Sequence, residues 1–272
     1  MIRKRYHIPF LFLFTVSRLL LLHPMSDEDN STKLVYKDCA EQKLHDPSGI
    51  FSQNLKALLA SLVELSGQKA FSTTTSGSGE NVIMGMFQCR GDLSNPACCS
   101  CVSKISDMLE RGELCSNLAA AARVQLSECY LRYEVVGFEQ VPETLLLYKV
   151  CGPKQVNGID GFEKRRDLVF GMVESGVRNG GKLFYTVNSS QSFYVLGQCE
   201  GDLANNDCVD CVKSAEDQAK IECGDSTSAE IYLHKCYISY TFYPNNGVCC
   251  LSPSLPGTTL EKISSLPCFD LI

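Results

Sequence analysis

The sequence predicts an α+β protein that consists of two tandem copies of one domain. Three observations lead to this prediction: a duplicated cysteine motif, segments with helical periodicity, and short runs with strand composition. The motif reads "QCRGDLSNPACCSC" at residues 88–101 and "QCEGDLANNDCVDC" at residues 198–211. The matching cysteines of the two motifs lie 110 residues apart. The flanking segments match as well, so the domains are predicted at residues 34–137 and 146–243.

Each copy contains two predicted helices and several predicted strands. The segment "FSQNLKALLASLVELSG" places its leucines on one helical face. A second helical pattern follows, with Val102, Ile105, Met108 and Leu109 on one face and with Cys98 and Cys101 one turn apart at its start. The strand-like runs are "LVYK", "VIMGMFQC" and "VQLSECYLRYEVV" in the first copy, and "LLLYKV", "SFYVLGQC" and "IYLHKCYISYTFY" in the second. Strands interrupted by two helices in so short a chain indicate an antiparallel sheet with helices packed on it. Because the linker around residues 137–143 is short, we expect the two domains to pack against each other.

The 16 cysteines indicate an oxidising compartment. Twelve of them form two matched sets of six, which is typical of disulfides in secreted domains, although sequence alone allows 15 pairings in each set. Two Cys-x-x-Cys pairs also have the spacing of a zinc site, but the repeat explains each pair without the other, so no metal is predicted. The cysteines outside the two sets are Cys99, Cys249, Cys250 and Cys268.

The ends of the chain agree with a secretory route. Basic residues precede the apolar segment "IPFLFLFTV", so residues 1–25 are predicted to be a signal peptide. Sequons at Asn30 and Asn188 are candidate glycosylation sites. Residues 244–272 are predicted to be an irregular tail that lacks the run of roughly 20 apolar residues needed for a transmembrane helix. We therefore expect no membrane anchor in the tail.

Charge and motifs exclude several classes of protein. The net charge is −6 and becomes about −10 without residues 1–25, and no cluster of Lys or Arg remains to bind nucleic acid. Only His45 and His234 follow the leader, and HExxH, GxSxG and a repeated acidic pair are all missing, so neither an enzyme nor a cofactor is predicted. Arg90-Gly91-Asp92 has the composition of an adhesion motif, but the second copy reads Glu200-Gly201-Asp202, which favours a turn in both copies.

The cysteine spacing within "QC-x-GDL" resembles that of the ginkbilobin-homologous cysteine-rich domain of land plants. Two copies behind a signal peptide are similar to the plasmodesmata-located proteins and the cysteine-rich repeat secretory proteins. The resemblance implies a five-stranded antiparallel sheet, two helices and three disulfides in each domain. The implied pairs are Cys39 with Cys115, Cys89 with Cys98, Cys101 with Cys129, Cys151 with Cys223, Cys199 with Cys208, and Cys211 with Cys236.

The same resemblance implies a non-catalytic extracellular protein. Its expected role is to regulate cell-to-cell trafficking, callose deposition and defence signalling through protein contacts, in the apoplast, at plasmodesmata or at the plasma-membrane surface. The implied partners are extracellular proteins, including homo- or hetero-oligomers of the family, and cell-wall glycans.

The alternative function is that of a secreted antifungal lectin that binds mannose. In ginkbilobin an Asn, an Arg and a Glu hold the sugar, and the matching residues in the first copy are Ala40, Arg123 and Glu134. Arg123 and Glu134 are therefore candidate sugar-binding residues, because a donor fork beside a carboxylate suits adjacent hydroxyl groups. A surface salt bridge is the alternative interpretation of this pair. The matching residues in the second copy are Gly152, Glu230 and Thr241, so no sugar site is expected there.

Overall fold

The computed structural model describes residues 33–137, 140–154, 159–180, 184–189 and 192–243. These residues form two domains, each a five-stranded antiparallel sheet that carries two helices on one face. The predicted fold class is confirmed. The predicted signal peptide, the Asn30 sequon, and the predicted tail with Cys249, Cys250 and Cys268 lie outside the described residues.

The two domains have the same order of elements. The helices are α1 (Ile50–Ser66) and α2 (Asn95–Glu110) in the first domain, and α3 (Phe162–Gly180) and α4 (Asn205–Cys223) in the second. The strands of the first domain are β1 (Leu34–Cys39), β2 (Phe71–Ser76), β3 (Ile83–Cys89), β4 (Ala121–Leu126) and β5 (Cys129–Val135). The strands of the second are β6 (Leu146–Cys151), β7 (Phe184–Ser189), β8 (Phe193–Cys199), β9 (Ser228–Leu233) and β10 (Cys236–Phe242). The sheet orders are β1-β4-β5-β3-β2 and β6-β9-β10-β8-β7, so β2 and β7 are equivalent edge strands.

The sheets differ from the strand pattern of the sequence in two ways. The runs "VQLSECYLRYEVV" and "IYLHKCYISYTFY" each form two strands, β4 with β5 and β9 with β10, which are joined at residues 127–128 and 234–235. The edge strands β2 and β7 did not stand out in the sequence; β2 reads "FSTTTS" and is largely polar. The polar residues of β2 leave little of the apolar alternation by which strands are recognised.

The helices of the first domain form where the apolar periodicity predicts them. Helix α1 begins next to Asp46, whose carboxylate accepts hydrogen bonds from the backbone N–H groups of Phe51 and Ser52 at 3.1 and 2.9 Å. These bonds satisfy donors that have no partner within the helix. Helix α2 begins after Ser94, whose hydroxyl accepts a hydrogen bond from Ala97 N–H. The buried residues of α1 recur every three or four positions: Phe51, Leu55, Leu58, Leu59, Leu62 and Ser66.

Strand residues alternate between a face that carries the helices and an opposite face. In β5, Leu131 and Tyr133 belong to the core beneath α1 and α2, whereas Tyr130 and Arg132 lie on the opposite face. Gly85 lies on the helix-carrying face of β3, where a Cβ atom would approach Leu58 to 2.8 Å. Each sheet therefore has one face that its own helices do not cover.

Six disulfides close the two cores. Cys89–Cys98 connects the end of β3 to the start of α2, and Cys101–Cys129 connects α2 to β5. Each closed loop limits the unfolded ensemble and contributes about 2–4 kcal/mol to stability. Among the described cysteines, Cys99 is the one outside a disulfide. The bonded pairs, Cys39–Cys115, Cys89–Cys98, Cys101–Cys129, Cys151–Cys223, Cys199–Cys208 and Cys211–Cys236, are those that the resemblance implies.

One carboxyl group is buried between the two helices of the second domain. Glu216 of α4 is 2% exposed and forms a hydrogen bond with Glu174 of α3. Burial first, and then the hydrogen bond and charge of Glu174, raise the pKa of Glu216 to about 9, against the opposing attraction of Lys220. Glu216 is therefore protonated at neutral pH in the folded domain.

We expect the second domain to lose stability as the pH rises from about 4.5 to about 9. The unfolded carboxyl group ionises near pH 4.5 and the folded one near pH 9, so the unfolded state binds fewer protons between these values. Glu216→Gln should flatten this dependence and raise the free energy of unfolding at pH 8 by on the order of 2 kcal/mol. Urea unfolding at pH 5 and pH 8 measures both effects. Asp210→Asn, an exposed change on the same helix, is the control. The same pH dependence in wild type and Glu216→Gln would contradict the assignment.

Candidate functional site

The faces of the two sheets that do not carry helices meet each other, and the repeated motif lies where they meet. Gln88 Oε1 accepts a hydrogen bond from the backbone N–H of Gly201 at 2.9 Å. Gln198 Oε1 accepts the equivalent bond from Gly91 N–H at 3.2 Å, and its Nε2 donates to the carbonyl oxygen of Cys89 at 2.9 Å. The two copies of the motif therefore bind each other reciprocally.

The motif glycines lie against aromatic rings of the opposite domain. A Cβ atom at Gly91 would lie 2.5 Å from the ring of Phe184, and one at Gly201 would lie 2.5 Å from the ring of Phe71. Any larger residue would have to displace these rings. The sequence predicted disulfides and a turn for the motif, but it did not predict this contact between the two copies. The recurrence of Gln and Gly at the same positions of both copies was the signal that could have revealed it.

The Arg-Gly-Asp segment is part of the interdomain contact. Arg90 forms ion pairs with Asp92 at 2.7 Å and with Glu128 at 3.3 Å, both in its own domain. The backbone N–H of Leu93 donates to Arg90 O at 3.0 Å, which closes the predicted turn. Since Gly91 binds Gln198, this segment is held on both sides and does not form a free adhesion loop.

Glu200 occupies the position of Arg90 in the second copy and connects the two domains. It is 2% exposed and accepts hydrogen bonds from Arg132 Nη2 at 3.2 Å, from Lys235 Nζ at 2.5 Å and from the Tyr130 hydroxyl. Burial by itself raises the pKa of a carboxyl group, but Arg132 and Lys235 outweigh it and hold the pKa of Glu200 below its ordinary value. Glu200 is therefore ionised, and its carboxylate forms ion pairs with Arg132 of the first domain and Lys235 of the second.

His234 belongs to the same contact. Arg132 Nη1 lies 2.9 Å from His234 Nε2, and Arg123 Nη1 donates to the backbone oxygen of His234 at 3.0 Å. Burial first, and then the charges of Arg132, Arg123 and Lys235, lower the pKa of His234 to about 4. The ring is thus neutral at pH 7. Because a guanidinium group only donates, Nε2 accepts and the proton lies on Nδ1.

Tyrosines extend the contact beyond the ion pairs. Tyr36 of the first domain stacks on Tyr148 of the second, with ring centroids 5.2 Å apart, and meets Tyr232 edge to face at 5.6 Å. Tyr232 in turn stacks on Tyr237 at 5.3 Å. Aromatic pairs of this geometry contribute about 0.5–1.5 kcal/mol beyond the burial of their area. The interface therefore combines aromatic packing with a buried ionic group.

The candidate sugar-binding residues lie on the wall of one interdomain cleft of about 290 Å³. Ala40 lines the same cleft. Glu134 accepts a hydrogen bond from Gln140 at 3.0 Å. The guanidinium group of Arg123 lies 4.2 Å from the centre of the Tyr130 ring and binds a backbone carbonyl of the second domain. Arg123 is thus already engaged between the domains, and sugar binding by Arg123 and Glu134 stays a prediction.

The structure also describes the other residues that the sequence analysis named as candidate sites. In the second copy Glu230 accepts a hydrogen bond from the Tyr232 hydroxyl at 2.6 Å, and a Cβ atom at Gly152 would lie 2.0 Å from Ser228 Oγ. Asn188, the first residue of its sequon, lies on the edge strand β7.

Both Cys-x-x-Cys pairs are in disulfides, and the part of the chain that the structure describes contains no group of three or more residues that could hold a metal ion. Among the described helices, none has the length and apolar character for a membrane span.

Comparison with known proteins identifies the family. A family model for salt stress response/antifungal proteins matches residues 38–136 and again residues 150–243. Plasmodesmata-located protein 2 of Arabidopsis thaliana is 46% identical over 240 residues, which cover 86% of this chain and 76% of that protein. Plasmodesmata-located protein 1 of the same plant is 44% identical over 259 residues, which cover 91% and 83%. The chain belongs to the plasmodesmata-located protein family.

A solved structure from this family has the same architecture. The tandem DUF26 ectodomain of the Arabidopsis thaliana cysteine-rich receptor-like protein PDLP8 superposes with a TM-score of 0.70 and 32% sequence identity. The match covers 78% of this chain and 99% of that chain, so it includes both domains. Each repeat of this family member is therefore one DUF26 domain.

Glu200→Gln should strongly destabilise the protein. The change removes the carboxylate that pairs with Arg132 and Lys235, whose side chains are 14% and 13% exposed. Lys235 keeps its ion pair with Asp202 at 2.6 Å, so the loss falls mainly on Arg132. Breaking a buried ion pair from one side lowers the free energy of unfolding by about 3–5 kcal/mol. Glu113→Gln removes an exposed ion pair with Arg111 and should cost about 0–1 kcal/mol. Urea unfolding compares the two variants. Equal, small losses would show that Glu200 does not hold the domains together.

Gly91→Ala should loosen the contact between the domains. The added methyl group must displace Phe184, so we expect a loss of about 1–3 kcal/mol in the free energy of unfolding. The radius of gyration from small-angle scattering should increase. Gly171→Ala is the control, because a Cβ atom there meets nothing within 4 Å and alanine favours a helix. If Gly91→Ala behaves like this control, the close approach is not required.

Proposed function

We propose that this chain is a non-catalytic extracellular protein of the plasmodesmata-located type that regulates cell-to-cell trafficking, callose deposition and defence signalling through protein contacts. The observation that carries the proposal is the 46% identity to a plasmodesmata-located protein over 240 residues, a span that includes both domains. The match to an ectodomain supports action in the apoplast, at plasmodesmata or at the plasma-membrane surface.

The geometry of the interdomain contact favours a role in protein contacts. The polar groups between the sheets, including Glu200, Arg132 and His234, bind one another and hold the two domains in one arrangement. The outer faces, which carry the helices, are thereby presented in a fixed relation. A pre-organised surface loses less conformational entropy when a partner binds. Extracellular proteins, including further copies of the family, are the proposed partners.

The proposal is tested in plant leaf cells that express the full-length tagged chain with a mobile fluorescent reporter. We expect paired puncta across the wall that coincide with callose and stay at the wall after plasmolysis. We also expect reduced movement of the reporter between neighbouring cells and increased callose at the puncta. A diffuse apoplastic signal with unchanged reporter movement would overturn the proposal.

Glu134→Gln separates this function from that of a mannose-binding lectin. A role through protein contacts does not use the Arg123 and Glu134 pair, so the variant should keep wild-type location and wild-type effect on reporter movement. Retention of the purified protein on mannan, with elution by free mannose, measures sugar binding directly. If Glu134→Gln abolishes both retention and the effect on movement, the lectin function is the correct one. Gln140→Ala, which removes the amide that binds Glu134 but keeps the carboxylate, is the matched control.

A further inference from the structure

The second domain has an apolar groove along α3. It is an open groove of about 720 Å³ that extends from Asp167 to Asn179 on the helix and includes Tyr185 of β7. Its apolar residues are Leu168, Met172 and Tyr185, which are 54%, 43% and 37% exposed. Contiguous exposed apolar surface is a feature of binding grooves, so this groove is a candidate binding surface.

The first domain does not have this groove. The buried residues of α1 and α3 align one to one, from Phe51 with Phe162 to Ser66 with Val177, and β2 and β7 pair with their neighbours in the same register. Small or polar residues occupy the equivalent surface of the first domain. The counterparts of Leu168, Met172 and Tyr185 are Ala57, Ser61 and Ser72. The apolar surface is therefore specific to the second copy.

The groove forms because, in the second domain, the large side chain lies on the strand β7 and the small one lies on the helix α3. A Cβ atom at Gly176 would lie 2.2 Å from the ring of Tyr185, so the ring packs against the helix only because Gly176 has no side chain. In the first domain the large residue lies on the helix, as Leu65, and the small one on the strand, as Ser72. Gly171, also on α3, has open space where its side chain would be. These two glycines and the tyrosine give the groove its shape.

The described chain ends beside one end of this groove. The ring of Phe242, at the end of β10, lies 5.2 Å from the ring of Phe162, the first residue of α3. The backbone N–H of Tyr243 donates to Ser192 O, which fixes the direction of the chain. The groove begins at Asp167, five residues along the helix from Phe162, or about 7.5 Å. Residues 244–272 thus start close to the apolar surface.

The length and composition of the C-terminal segment fit the groove. Residues 266–272 read "LPCFDLI" and are mostly apolar. A flexible chain of 22 residues, the number from 244 to 265, has a root-mean-square end-to-end distance of about 26 Å. The groove is about 18 Å long from Asp167 to Asn179, at the rise of an α-helix. A tether that matches the span gives an effective concentration in the mM range, at which even a weak apolar contact is occupied.

We propose that residues 266–272 bind in cis to the groove formed by Leu168, Met172 and Tyr185. In this arrangement the C-terminal segment covers the apolar surface of the second domain. The apolar replacements in the second copy then have a physical reason, because only that copy is followed by the segment. This contact is independent of the function proposed above.

Photo-crosslinking in the full-length protein tests the proposal. Met172→p-benzoylphenylalanine places a crosslinking group in the groove at a partly exposed position that tolerates a large side chain. After irradiation, reduction and proteolysis, mass spectrometry identifies the attached peptides. We expect crosslinks from position 172 to residues 266–272 of the same chain, with a yield independent of protein concentration. Ile221→p-benzoylphenylalanine, on the exposed surface of α4, is the control and should give a yield about tenfold lower.

A change in the segment itself completes the test. Phe269→Asp combined with Leu271→Asp removes apolar surface from the segment, outside both domains, and should lower the yield at position 172 to that of the Ile221 control. Crosslinks between two chains would show that a second copy occupies the groove and would overturn the proposal. A yield to residues 266–272 no higher than that of the control would overturn it as well.

Discussion

The reciprocal binding of the two motif copies is the constraint on which the arrangement of this protein depends. Each motif glutamine accepts a hydrogen bond from the motif glycine of the other domain, and each of these glycines lies against an aromatic ring of the domain opposite its own. A face of each sheet that its own helices leave uncovered is thereby packed against its counterpart. The motif thus has two structural functions, because its cysteines close the core of one domain while its Gln and Gly residues join it to the next.

The two copies differ where a symmetric contact would be electrostatically unfavourable. Arg90 and Glu200 occupy equivalent positions, but Glu200 lies between Arg132 of the first domain and Lys235 of the second. A second arginine at this position would place three positive charges together in a buried region, which is costly without a counter-charge. The exchange of Arg for Glu supplies that counter-charge. His234 lies nearby, where its burial and the charges of Arg132, Arg123 and Lys235 keep the ring neutral.

This contact also engages a residue that was a candidate for sugar binding. Arg123 is the residue that matches the sugar-binding arginine of ginkbilobin. Its guanidinium group packs on Tyr130 and donates a hydrogen bond to the backbone oxygen of His234. An arginine is thus present at this position, but it is bound in the contact between the two domains. A single domain does not have this contact. The apolar groove on α3 lies away from this contact, on a surface where the second domain differs from the first.

The sequence by itself determined the repeat, the fold class and the positions of the main helices, because repetition and helical periodicity are local properties of the chain. It identified four strand segments of each sheet but merged β4 with β5 and β9 with β10, and it missed the edge strands β2 and β7, of which β2 is largely polar. Other properties were decided only by the tertiary structure: the contact between the motifs, the ionised state of Glu200 and the protonated state of Glu216. Each depends on groups that folding brings together from distant parts of the chain, such as Tyr130 and Glu200, so no local pattern reports it.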